Sequence, residues 1–202
     1  KFLGLGFIVV KSATPEAGTS IAVGDEIKYD LTMFVNGAAT VEPTVLTDTL
    51  GDGLELQTYP KDCKKTGKQL ICSLPADTPE GEYVFSYMAK VSEAALKVGK
   101  VVNKVTSTVG GILSGCEAAT KCTTEHPLWS VDTQKVSDAD GKKGVRIGDP
   151  IRYTVSVTIQ NGPSSKDIKI VDTRSVGLEV SQVPAGCTQE GLVMTCILAK
   201  GA

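Results

Sequence analysis

Three residue types that can together build an amide bond fall on apolar strand faces in the first half of this chain. Phe7, Val9 and Lys11 alternate on one face. Leu46 and Asp48 share a second, and Val101, Asn103 and Val105 a third. A lysine, an aspartate and an asparagine are thereby aimed at one core. Burying an ammonium and a carboxylate costs several kcal/mol per ion. Desolvation lowers a lysine pKa and raises an aspartic acid pKa, so a neutral amine beside a protonated carboxyl is a self-consistent buried state. A neutral amine is a nucleophile. Against Asn103, Lys11 would attack the side-chain amide carbon while Asp48 polarised the carbonyl and carried the proton. Ammonia would leave, and an isopeptide bond would tie the first strand to the last. The same parity admits a buried, hydrogen-bonded Lys11–Asp48 pair with Asn103 as an ordinary ladder residue. It also admits a Lys11 at a strand end reaching water. The chain holds three asparagines, and Asn103 is the one outside an Asn-Gly pair.

The elements that must position these residues occur twice. At an offset of 124, Lys11 maps to Lys135, Val23-Gly24-Asp25 to Ile147-Gly148-Asp149, and Asp48-Thr49 to Asp172-Thr173. Ile27, Tyr29, Leu31, Met33 and Val35 map to Ile151, Tyr153, Val155, Val157 and Ile159. Pro60, Cys63, Gly67 and Cys72 map to Pro184, Cys187, Gly191 and Cys196. Both copies read as short alternating strands: Ile27–Val35 and Ile151–Ile159, Val41–Leu50 and Lys166–Asp172, Leu54–Tyr59 and Leu178–Val183, Leu70–Leu74 and Val193–Leu198. The first copy adds Tyr83–Val91 and Lys100–Thr108, whose counterparts the sequence does not contain. Roughly seven short strands in about 100 residues predict an all-β chain of two tandem immunoglobulin-like antiparallel sandwiches, the second lacking its last strands. The domains expected are 1–110, a connection over 111–127, and an incomplete second repeat over 128–202. Lacking an initiator methionine and a leader pattern, the chain reads as a processed product or an excerpt.

Six cysteines allow fifteen pairings. Equivalent pairs should bond equivalently, giving Cys63–Cys72 and Cys187–Cys196, each across a Gly-containing turn, and leaving Cys116–Cys122 to staple the connection. Persistent disulfides place the chain in an oxidising compartment, outside the cell or on its surface. A zinc site is not expected, because no C-x-x-C spacing occurs and there is one histidine. Ser137–Gly141 echoes a calcium loop without the closing glutamate. A formal net charge of −2 gives no footprint for nucleic acid. No apolar run is long enough to span a membrane. No nucleophile elbow, phosphate loop or metal triad is present, so neither an enzyme nor a cofactor is expected, beyond autocatalytic isopeptide formation. His126 stands alone in the connection.

The ordered set Lys11, Val23-Gly24-Asp25, Tyr29, Asn36-Gly37, Asp48-Thr49-Leu50, Cys63…Cys72 and Val101-Val102-Asn103 resembles the surface-repeat family called domain of unknown function eleven. That family is related to the collagen-adhesin and pilin sandwiches of bacterial surface proteins. The resemblance covers nearly all of the first repeat and about the first 70 residues of the second. It implies tandem modules in bacterial or archaeal stalks, adhesins or filaments, with Lys11 and Asn103 as the bonded pair and Asp48 as catalyst. In the second repeat, Lys135 and Asp172 match, and an asparagine would have to come from elsewhere. An unfinished sandwich exposes a sheet edge. The partners expected are therefore further tandem domains or a homopolymer joined by strand addition, with 1–10 a candidate donor. The alternative is an adhesin domain binding a host or glycan ligand through its end loops. The basic tip Lys61, Lys64, Lys65 and Lys68 reads as a solvated turn rather than an anion site.

Overall fold

The computed structural model describes residues 6–109, 112–114, 122–139 and 144–202. Two compact units form, Lys1–Leu128 and Trp129–Ala202. The first contains β1 (Gly6–Thr14), β2 (Glu26–Asn36), β3 (Thr44–Leu50), β4 (Leu54–Thr58), β5 (Cys63–Thr66), β6 (Gln69–Leu74), β7 (Gly81–Val91), β8 (Lys100–Val109), β9 (Ile112–Ser114) and β10 (Thr123–Pro127). One sheet runs β1-β2-β7-β4 and the other β10-β8-β3-β6-β5, with β9 pairing β8. Among the described residues the pairings between these strands are antiparallel, and an isolated parallel bridge joins Ile21 to Leu128. A single 3-10 turn over Glu93–Lys97 carries the chain from β7 to β8 across the sandwich.

Alternation in the sequence decides which side chains enter. In β2, Ile27, Tyr29, Leu31, Met33 and Val35 are fully buried, while Lys28, Asp30, Thr32 and Phe34 are not. Leu46 of β3, Leu70 and Cys72 of β6, and Val101 and Val105 of β8 meet them from the opposite sheet. Period-two patterning thus produces one apolar layer between two pleated faces. Thr123–Pro127, which the repeat places in the connection, forms strand β10 on the free edge of β8. Hence the first unit extends to Leu128.

The second unit contains β11 (Ser130–Ser137), β12 (Tyr153–Gln160), β13 (Ile168–Thr173), β14 (Cys187–Glu190) and β15 (Val193–Leu198). They form two separate sheets, β11-β12 and β13-β15-β14. These repeat β1-β2 and β3-β6-β5 of the first unit. Strand 178–183, expected from the sequence, is absent: that stretch is coil and bend. The reason is visible in the first unit. There the matching strand, β4, pairs with β7 alone, and the described residues of the second unit include no counterpart of β7. A strand without a neighbour leaves its backbone groups unpaired and does not form. Core-facing positions stay open as well. Tyr153 is 43% exposed where Tyr29 is 0%, and Val155 is 37% exposed where Leu31 is 0%.

Disulfides Cys63–Cys72 and Cys187–Cys196 join directly opposed residues of β5 with β6 and β14 with β15. Cys122 is disulfide-bonded, whereas Cys116 lies outside the described residues, as do 1–5 of the candidate donor segment. Among the described residues no helix is long and apolar enough to cross a membrane. Each hairpin disulfide closes a loop of ten residues. The paired replacement of Cys63 and Cys72 by serine is expected to lower unfolding stability by about 2–3 kcal/mol in the chain-entropy account. Urea denaturation of the oxidised parent and the variant measures it; equal midpoints would contradict that role.

Candidate functional site

The three residues read from strand parity converge in the first unit. Lys11 comes from β1, Asp48 from β3 and Asn103 from β8, so the two sheets each contribute. The side chains of Lys11 and Asp48 are fully buried, and Asn103 is 0% exposed. Lys11 Nζ donates to Asp48 Oδ2 at 2.5 Å. A fourth residue, Tyr87 of β7, ties the group together. Its hydroxyl accepts from Lys11 Nζ at 3.2 Å and from Asn103 Nδ2 at 2.5 Å, and it donates to Asp48 Oδ2. The lysine and asparagine nitrogens therefore sit on the same oxygen, each one hydrogen bond away. Lys11 Nζ also lies 4.7 Å from the centroid of the Tyr29 ring, a contact that favours a cation. Tyr29 and Tyr87 stack with centroids 5.2 Å apart.

Backbone geometry fixes Asn103. It stands opposite Leu50 of β3 and Thr124 of β10. Next to it, Gly51 N donates to Val102 O at 2.9 Å, and a Cβ at Gly51 would overlap that carbonyl oxygen. Glycine is therefore required where β3 ends against β8.

The electrostatics are those of a dry site. Burial pulls Lys11 from 10.5 down to about 8, against the charge and hydrogen bond of Asp48, which favour the ammonium. Burial also pushes both phenols up from 10.0. At Tyr87 the Asp48 charge adds to the rise. At Tyr29 the nearby side chains of Asn103 and Thr124 oppose it, although its hydroxyl makes no hydrogen bond of normal geometry. Asp48 Oδ1 and Asn103 Oδ1 are likewise buried without a hydrogen-bond partner. Each such orphan costs about 1–3 kcal/mol. Moving the ammonium proton to the carboxyl converts Asp48 into a donor and leaves Lys11 with a free electron pair. The cluster leaves acceptor oxygens unpaired and sets an amine beside an amide, the composition that acyl transfer to Lys11 needs.

The second copy of the site is half built. Lys135 Nζ donates to Asp172 Oδ1 at 2.6 Å, with side chains 40% and 29% exposed. Lys135 Nζ lies 4.7 Å from the Tyr153 ring centroid, matching Lys11 over Tyr29. No counterpart of Tyr87 or Asn103 accompanies them among the described residues.

Tyr87 was legible as a core residue of an alternating strand, but nothing in its spacing marked the hydroxyl as the hub. His126 is fully buried on β10, with Nε2 3.0 Å from Pro15 O and its ring edge-on to Tyr29. Burial holds its pKa below 6.5, against the Pro15 carbonyl. It packs the core rather than facing solvent. The basic tip is open, and Lys68 pairs with Asp52. No cluster of three or more metal-ligating side chains occurs among the described residues.

No family model matches the chain, the family of the sequence resemblance included. No curated protein matches it either. Solved structures do. The collagen-binding domain of the Erysipelothrix rhusiopathiae surface protein RspB is 14% identical with a TM-score of 0.42, the match covering 59% of this chain and 46% of that one. BcpA, the major pilin subunit of Bacillus cereus, is 14% identical with a TM-score of 0.47, covering 94% and 66%. ACE19, the collagen-binding subdomain of the Enterococcus faecalis surface protein ACE, is 11% identical with a TM-score of 0.37, covering 63% and 97%. The chain spans less than two thirds of the first two.

The pKa directions predict a bell in stability for an Asn103→Ala variant, in which no bond can form. Between about 8 and 10.5 the unfolded chain binds the Lys11 proton more readily than the folded one, so stability rises with pH. Above 10.0 the unfolded chain loses phenolic protons that Tyr29 and Tyr87 retain in the fold, so stability falls. Thermal unfolding from pH 7 to 11 checks it; a monotonic fall from pH 8 upward would contradict the lysine's burial.

Proposed function

We propose that this chain is a structural module of an extracellular filament or surface adhesin, stiffened in its first unit by an isopeptide bond between Lys11 Nζ and Asn103 Cγ. Asp48 acts as the proton shuttle. It takes one proton from the ammonium and donates a hydrogen bond to the amide oxygen as the new C–N bond forms; a second proton passes from the attacking nitrogen to the departing one, and Asp48 ends as a neutral carboxyl. One amide is made, one carboxamide C–N bond is broken, and ammonia leaves. Tyr87 positions both nitrogens.

The observation that carries this reading is a fully buried lysine and aspartate sharing a tyrosine oxygen with a fully buried asparagine. A buried ion pair is poor value for stability alone, since apolar replacements of equal volume are often as stable. Its placement favours mechanics: the bond would join β1 of one sheet to β8 of the other, bracketing most of the unit. The hairpin disulfides support a location outside the cell or on its surface. Completion of the second unit by strand addition, through further tandem domains or neighbouring copies, belongs to the same reading.

Intact-mass spectrometry of the reduced full chain tests the bond. The parent is expected to be one ammonia lighter than its sequence. Asp48→Ala and Lys11→Ala are expected to carry the full calculated mass, and Tyr87→Phe to lose ammonia more slowly. A parent at its full calculated mass, or an Asp48→Ala variant that has lost ammonia, would overturn the assignment.

A further inference from the structure

Strand β10 is stitched to the first unit along both of its edges. On one side it pairs with β8, setting Thr124 opposite Asn103 and His126 opposite Val101. On the other, Gly18 N donates to Glu125 O at 2.8 Å and Ile21 N to Pro127 O at 3.0 Å. Just past the strand, Leu128 N donates to Gly99 O at 2.8 Å, and the parallel bridge joins Leu128 to Ile21. His126 is the inward-facing ionisable side chain of β10 and is fully buried. Its Nε2 lies 3.0 Å from Pro15 O. A carbonyl oxygen only accepts, so Nε2 carries the ring proton and Nδ1 is bare. Nδ1 is buried with no hydrogen-bond partner. Protonating it would put a cation in the core with nothing to accept the new N–H.

The surrounding charges give that cation no relief. From β1, Lys11 is itself a buried amine over the ring of Tyr29, the ring that His126 meets edge-on. Asp48 of β3 is engaged by that lysine and by the Tyr87 hydroxyl. From β2 and β7 come the phenols of Tyr29 and Tyr87, which burial keeps protonated. Lys100 and Lys104 of β8, Glu125 of β10 itself and Glu16 of the 15–21 segment are exposed. We propose that His126 makes β10 an acid-released clasp: protonation of Nδ1 frees 123–128 from β8 and from the 15–21 segment. The freed stretch becomes slack chain ahead of Trp129 and uncovers the edge of β8 at Asn103. None of this requires Lys11 and Asn103 to be joined. Burial holds the docked His126 pKa below 6.5, so the released chain binds the proton more readily. Docking is therefore firm above about 6.5 and weakens as the pH falls below it. The open fraction is expected to rise about tenfold from pH 7.5 to 5.5. That window lies above the ordinary carboxylate range and below the value of about 8 to which burial brings Lys11.

Hydrogen exchange of the full chain, followed by NMR and corrected for the intrinsic pH dependence of exchange, tests the clasp. The amides of Gly18, Ile21 and Leu128 report it, because their bonds exist only while 123–128 is docked. The amides that pair β2 with β7 report the rest of the unit. The first set is expected to open about tenfold more at pH 5.5 than at pH 7.5, with the second set unchanged. His126→Gln keeps a donor for the Pro15 carbonyl and does not titrate, so there the rise is expected to vanish. The ring nitrogen shifts of the parent give a reading that needs no variant: a protonated Nε2 and a bare Nδ1 at pH 7.5. A flat opening profile in the parent, an equal rise across β2 and β7, a rise that persists in His126→Gln, or the opposite ring tautomer would each overturn the proposal.

Discussion

A lysine amine held between two sheets, away from water, constrains everything around it. Lys11 emerges from β1 into a layer of Tyr, Leu, Val and Met side chains, where an unpaired ammonium would be prohibitive. The fold therefore brings Asp48 to it from the opposite sheet. Tyr87 accepts a second N–H of the lysine, and Tyr29 offers a π face. Asn103 is drawn in through the same phenol. Five side chains from β1, β2, β3, β7 and β8 are thereby locked in one place, and the two sheets cannot slide without breaking the cluster. Two acceptor oxygens remain unpaired, and that deficit separates the cluster from a finished structural network. Amide formation would replace the charged pair with a neutral link and release the proton-sharing problem altogether.

The second unit shows what this arrangement costs without β7 and β8. The same lysine and aspartate meet at nearly the same distance, 2.6 Å against 2.5 Å. The aromatic face is at the same 4.7 Å. What changes is exposure, 40% for the Lys135 side chain against 0% for Lys11. Water then screens the pair, and surface pairs of this kind contribute little. Local pairing of β1 with β2 and of β3 with β6 is thus enough to bring the ions together. Desolvation of the pair accompanies the strands that close the sandwich, as the exposures of the two copies show.

Most of the architecture was readable because period-two alternation and an internal repeat are strong signals. The inward stripe Ile27, Tyr29, Leu31, Met33, Val35 and the parity of Lys11, Asp48 and Asn103 required no coordinates. The disulfides Cys63–Cys72 and Cys187–Cys196 followed from the repeat. What escaped was whatever depends on a neighbour rather than on local pattern. Strand 178–183 has the right residues and fails for want of a partner. Thr123–Pro127 carries a proline and a lone histidine and becomes a strand because β8 has a free edge. Tyr87 looks like any aromatic core residue, and its hydroxyl acquires a role only when three strands from two sheets aim polar atoms at it.

A covalent clamp between β1 and β8 would have a mechanical consequence that measures it directly. Pulling the full chain from its ends in a single-molecule force experiment, the clamp predicts that residues between Lys11 and Asn103 never extend. The Asn103→Ala variant should instead release a further length of about 300 Å, at roughly 3.3–3.6 Å per residue. A parent that yields that same extra length would show that Lys11 and Asn103 are not joined.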